Sequence, residues 1–375
     1  MSADIPRDAE SPWLHSPLVD SLFVLAPPFL AVLAALVFGV GWGWEMGAGG
    51  FLLLVVCVDV AHVYATIFRT YLDFDELRRR PLLYTLAPVL SYAGFVLVFA
   101  GGWSLFWRCL AYFAAFHFVR QCYGLMRLYG RGETWAVGRR IDAFAIYGVT
   151  LFPLLYWHAV GRAFPWFVEG DFLAFESPGL ARFALAGFWA SLLGFVGKEA
   201  LAPRGMRRNL PKTLIVLGSA AAWGVGILAF DRDAVFTITN IVAHGVPYLA
   251  LVWIVASKQA ARSERAELLG RFSARSFFRK RYIPLYLLVL ITLGYLEEAI
   301  WDGLLWDAYP SLFPLASPLL GSLGDVDDVG VARWIMPLLA LPQVTHYVLD
   351  GFLWRSKSLP TPASSASEAV QLVPG

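Results

Sequence analysis

The sequence predicts an all-α, polytopic integral membrane protein with about ten transmembrane helices and both termini in the cytoplasm. Three observations carry that prediction. The 375 residues are 58% hydrophobic and 15% charged, against about 25% charged in soluble domains. Apolar stretches of about 20 residues, the length that spans a bilayer core, recur along the chain. Basic clusters follow every second stretch.

The composition excludes a soluble globular, a disordered and a fibrous protein. A formal net charge of +2 points to no acidic or basic partner. Cys57, Cys109 and Cys122 lie in apolar runs and form neither a CxxC pair nor a disulfide framework. Arg outnumbers Lys by 25 to 5, which reads as the codon usage of a high-GC bacterium. The expected location is therefore the bacterial cytoplasmic membrane.

The first 16 residues read as a cytoplasmic segment. Asp4, Asp8 and Glu10 stand where a signal peptide would carry basic residues. Predicted helices run roughly over 17–42, 50–72, 82–101, 103–128, 141–160, 180–202, 212–230, 234–257, 283–306 and 331–354. Pro27-Pro28 kinks or delays the first. Together they make one transmembrane domain over 17–355, followed by a Ser/Ala/Pro-rich tail, 356–375, expected to be disordered.

Charge gives the orientation. Arg78–Arg80, Arg127 to Arg140, Arg204 to Lys212, Lys258 to Arg281, and Arg355 with Lys357 follow the second, fourth, sixth, eighth and tenth helices. The alternate loops are acidic or neutral. By the positive-inside rule the basic loops are cytoplasmic and the number of crossings is even. The segment 258–281 reads either as an interfacial amphipathic helix on anionic lipid or as a solvated linker.

A strongly polar side chain in hydrocarbon costs at least about 2.5–3.5 kcal/mol on insertion scales, so it usually faces the bundle interior and serves a function. His62, His117, His244 and His346 lie deep in the second, fourth, eighth and tenth helices. All four helices run from outside to inside. The histidines come about 12, 14, 10 and 15 residues after the helix starts, a spread of roughly 7 Å at 1.5 Å per residue. One layer can hold all four. Each has polar company on its own face: Asp59, Thr66, Arg69 and Asp73 with His62; Arg120 and Gln121 with His117; Asn240 and Tyr248 with His244; Gln343 and Asp350 with His346.

A lone intramembrane histidine is commonly an interhelical hydrogen-bonding residue. Four at one depth fit a metal site better. A proton or ion pathway, haem ligation and polar packing stay open. A metal-bound imidazole usually donates its second N–H to a carboxylate or carbonyl, and Asp59 and Asp350 stand at i−3 and i+4 to accept it or to bind metal themselves. Imidazole with carboxylate suits iron, zinc or copper, and the lack of paired thiolates argues against soft-metal sites. HExxH and the HxxxH and HxxHH patterns of membrane desaturases are absent. Iron, in a one- or two-metal centre, acting with dioxygen on a membrane-soluble substrate is the most economical reading. The partners expected are the bilayer, that small substrate and an electron donor of unknown identity, and no nucleic acid. The rival readings are a proton- or ion-coupled transporter using the same layer as a relay, and a cofactorless membrane assembly factor.

Several strings resemble the Brp/Blh-type β-carotene dioxygenases, polytopic proteins with a four-histidine non-haem iron. His117-Phe118 within an apolar helix is similar to one of that family's histidine helices. His346, Asp350 and Arg355 (HYVLDGFLWR) are similar to its closing His…Asp…Arg helix, with the Asp offset by one position. His62 matches its early histidine. The resemblance spans a few tens of residues. The family's His-Gly-x-x-Asp and its paired histidines four apart have no counterpart here. It implies iron and an isoprenoid-like substrate.

Asp59, Asp350 and Tyr248 are the candidate catalytic residues, with the four histidines as metal ligands. Arg69, Arg120, Gln121, Asn240 and Gln343 are candidates for substrate binding, and Arg69, Arg120 and Arg355 read equally as snorkelling anchors. Glu297, Glu298 and Asp302 suggest a cation or proton route or a water-filled entrance, unless their helix ends early and they face the outer interface. His158 reads as part of an interfacial aromatic belt, His15 as without a chemical role and Cys122 as a packing residue. No Walker A, GxGxxG or GxSxG sequence occurs in a suitable context.

Overall fold

A computed structural model describes residues 11–40, 46–162, 164–202, 208–267, 278–320 and 329–353. Among these residues the fold is entirely helical. The helices are α1 (Pro17–Leu25), α2 (Pro27–Phe38), α3 (Ala48–Arg69), α4 (Phe74–Arg79), α5 (Pro81–Phe99), α6 (Trp103–Tyr129), α7 (Ala136–Val160), α8 (Pro178–Ala200), α9 (Leu210–Ala229), α10 (Asp233–Glu267), α11 (Lys280–Trp306), α12 (Ala316–Leu320), α13 (Val329–Leu339) and α14 (Leu341–Leu353). Seven of them are long and apolar enough to cross a membrane, or eight crossings if the bent α1–α2 pair is one.

Every predicted segment is helical, with instructive differences at the ends. Pro27 starts α2 after a bend of 42°, the expected kink. The last predicted helix is two helices. Proline cannot donate the backbone bond that would continue α13, and Pro342 instead sits in the first turn of α14. The eighth runs on to Glu267, into the basic segment, while 268–277 lie outside the described residues, as do 1–10 and the tail from 354. Starts are capped locally. Ser16, Asp73, Ser177 and Asn209 each accept a backbone N–H from the first turn of α1, α4, α8 and α9.

Large apolar side chains point outward all round the bundle; Leu82, Leu97, Leu193 and Leu201 are 73%, 71%, 64% and 83% exposed. Such a surface suits lipid. A set of polar residues is buried inside. Lys198 on α8 and Lys212 on α9 converge on Asp142 of α7 at 2.5 and 2.9 Å, and Glu133 and Glu199 complete a buried ion network. α3 packs against α10, α11 and α14, and α14 also packs against α6. These contacts bring the four histidine helices together. Two glycines allow close approaches to α3. A Cβ on Gly245 of α10 would lie 2.7 Å from Val58 Cγ1, and one on Gly294 of α11 would lie 2.9 Å from the Val56 carbonyl oxygen.

Candidate metal centre

α3 is wound in wide i→i+5 turns over Phe51–Val60 and becomes α-helical at Ala61, one residue before His62. His62 meets His117 from α6, His244 from α10 and His346 from α14. They are 1%, 4%, 4% and 1% exposed. His244 Nε2 lies 3.0 Å from His62 Nε2, and His346 Nε2 lies 3.1 Å from His117 Nε2. One ring nitrogen from each of the four falls within 4.8 Å of the others.

Those distances suit a common ion. Two nitrogens about 2.0–2.1 Å from one metal are about 3.0 Å apart at a right angle and about 4.2 Å apart at most. The two short pairs match the right-angle value. The widest separation needs to close by roughly 0.6 Å, within reach of small ring rotations.

The outer nitrogens decide which protons the rings carry. Asp350 Oδ1 accepts from the Tyr248 hydroxyl at 2.6 Å. Tyr248 has one proton and spends it there, so it accepts from Thr66 Oγ1, 2.8 Å away. Thr66 in turn accepts from His346 Nδ1 at 2.6 Å. The order of donation is fixed from the carboxylate backwards. His346 must carry its proton on Nδ1, which leaves Nε2 with a free lone pair facing the cluster, the form a metal ligand needs. The other Asp350 oxygen lies 3.8 Å from His117 Nδ1, and Asp59 Oδ1 lies 3.7 Å from His62 Nδ1. Phe118 stacks on His244 at 3.8 Å and Tyr347 on His117 at 4.7 Å between ring centroids, which fixes both ring planes.

Asp59 thus faces the histidine of its own helix, as its spacing suggests. Asp350 does not. It reaches across to His117, while His346 turns to Thr66 on α3. Thr66 is the residue that sequence reasoning left without a role; its place four residues after His62 on the polar stripe was the available signal.

The other candidates divide. Gln121 donates to the His244 carbonyl at 2.8 Å and Asn240 to the Phe236 carbonyl at 3.1 Å, and both line one cavity with His244. Arg69 is buried near Tyr248 and Asp73, just beyond Thr66. Arg120 is exposed and donates to the Tyr147 hydroxyl, away from the histidines. Gln343 reaches Glu297 at 3.3 Å. Glu297, Glu298 and Asp302 are 7%, 9% and 3% exposed. Their helix continues to Trp306 and does not end before them. Asp302 accepts from the Ala308 and Tyr309 backbones and closes the loop there. His158 Nδ1 pairs with the Leu173 carbonyl.

Compared with known proteins, the chain matches no family model, no curated protein sequence and no solved structure.

Proposed function

We propose that His62, His117, His244 and His346 hold iron and that the protein oxidises a lipid or isoprenoid-like substrate delivered through the bilayer. The observation that carries this reading is the directed hydrogen-bond chain. It leaves His346 Nε2 free of its proton in a buried cluster where a second ring nitrogen stands 3.1 Å away. Imidazole ligands suit iron, zinc and copper alike. Iron is favoured because both dioxygen and an apolar substrate concentrate in the membrane.

Bound iron would supply dioxygen activation. Insertion of both oxygen atoms needs no outside reductant; insertion of one needs two electrons and two protons from a donor. The chain's own residues orient and exclude. Thr66, Tyr248 and Asp350 hold His346 and His117, Asp59 stands behind His62, and the stacked Phe118 and Tyr347 keep water from the rings. Gln121 and Asn240 are placed for the substrate. In this reading α1–α2 is one crossing, α6 and the α13–α14 pair are two more, and the ten crossings leave both termini cytoplasmic.

A second reading is a proton- or ion-coupled carrier. The buried Glu297 and Glu298 on α11 favour it, because intramembrane carboxylates commonly mark ion paths. Metal analysis of detergent-purified protein separates the two. The enzyme should carry one or two iron ions per chain and lose them in His62→Ala and His346→Ala alike. A chain that purifies without metal, and takes none up, removes the metal centre.

A further inference from the structure

One cavity borders the cluster. It lies between α1–α2, α6, α9 and α10, and its wall includes Gln121, Ser219, Asn240 and His244 among apolar side chains. It has room for about one water-sized group. Three side chains of that wall keep a buried polar atom without a hydrogen-bond partner: His244 Nδ1, Asn240 Oδ1 and Gln121 Oε1. An unpaired buried polar atom is costly, so three on side chains that line one cavity mark a place built for a ligand.

The chemistry of that ligand follows from the wall. The amide groups are oriented by their own bonds, since Gln121 Nε2 donates to His244 O and Asn240 Nδ2 to Phe236 O. Both oxygens are therefore acceptors. His244 Nε2 faces His62 Nε2. If the metal reading is right, the His244 proton sits on Nδ1 and makes that atom a donor. The three unpaired atoms offer one donor and two acceptors, beside the Ser219 hydroxyl. A carboxylate would repel both amide oxygens, and an ammonium could not accept from Nδ1. A hydroxyl accepts from Nδ1 and donates to one of the two oxygens, and water, with its second proton, satisfies both.

We propose that this cavity binds a hydroxyl group against His244. It comes either from water, which the room suits, or from a membrane-soluble alcohol, whose chain would have to part the buried Val24, Leu125 and Ile215. His244 would then gain the outer partner that Thr66 gives His346. The proposal deepens the metal reading and rests on it.

The test uses full-length protein in detergent, loaded with cobalt(II) as a visible probe. Hexadecanol and hexadecane are titrated in separately. Cobalt affinity is measured by chelator competition for wild type, Asn240→Leu, which removes an acceptor, and Ala243→Val, which fills the cavity without touching a polar atom. A spectral shift with hexadecanol but not hexadecane, abolished in Asn240→Leu, establishes the alcohol. No shift, with both variants binding cobalt about 10–100-fold more weakly, establishes water. Equal shifts with both additives overturn the proposal. So does no shift with unchanged affinities, or weakening in Asn240→Leu alone, which would trace to its bond with Phe236. Wild type that binds no cobalt takes down the metal reading itself, a result distinct from any of these.

Discussion

Thr66 is where the chemistry of the cluster is set. Its hydroxyl passes hydrogen-bond direction from His346 to Tyr248, and Asp350 anchors the far end. Thr66→Val keeps the volume of the side chain and breaks the chain at one atom. Metal affinity should fall by about 10–100-fold, the usual cost of losing a ligand's outer partner, while the melting temperature changes little. Unchanged affinity would mean that His346 is held by packing alone. Asp350→Asn poses a different question. Asparagine can still accept from Tyr248 but loses the charge facing His117 Nδ1 at 3.8 Å. Part of the metal should remain, against none in His346→Ala. Complete loss would make Asp350 a ligand.

At the scale of the element, the helices were legible because apolar length and charge punctuation are strong signals. The four histidines were legible because a polar residue in a span is costly and needs a reason. Their partners were harder to read. Helical spacing relates residues on one helix, so Asp59 could be paired with His62. It could not show that Asp350 serves α6 and that Thr66 serves α14, because those pairings depend on how the helices pack. The glycines that permit the packing were equally silent. Gly245 follows His244 directly, and Gly294 sits on the helix that closes over the other side of α3. Small residues at such contacts let backbones approach. Gly294→Ala places a methyl 2.9 Å from a backbone oxygen, which cannot rotate away. Overpacking of this kind typically costs about 1–3 kcal/mol. The variant should melt earlier and bind metal more weakly, because α3 must move and carries His62. A normal melting temperature with normal metal content would show that the α3–α11 contact is looser than the distance indicates.

For the whole molecule, hydropathy weakens where the site is. α6 carries Arg108, His117, Arg120, Gln121 and Arg127, and the last predicted helix is broken at Ala340, so neither passes as an apolar crossing although both deliver a histidine. The buried network of Lys198, Lys212 and Asp142 ties α7, α8 and α9 at the end where the basic clusters gather. Removing one partner from a buried ion group costs about 3–5 kcal/mol, so Asp142→Asn should lower the melting temperature sharply while leaving metal affinity intact. The orientation prediction then turns on α6. If it crosses, Gly132 and Glu267 lie on the cytoplasmic side and Glu169, in the loop after α7, lies outside. If α6 only dips into the bilayer, the next loops exchange sides and the basic residues 127–140 face outward against the charge rule. Reporter fusions at these three positions decide it. Cytoplasmic signals at Gly132 and Glu267 with an external signal at Glu169 fit a full crossing by α6. A shared side for Gly132 and Glu169 would mean that α7 does not cross. An external Gly132 would mean that α6 only dips into the bilayer.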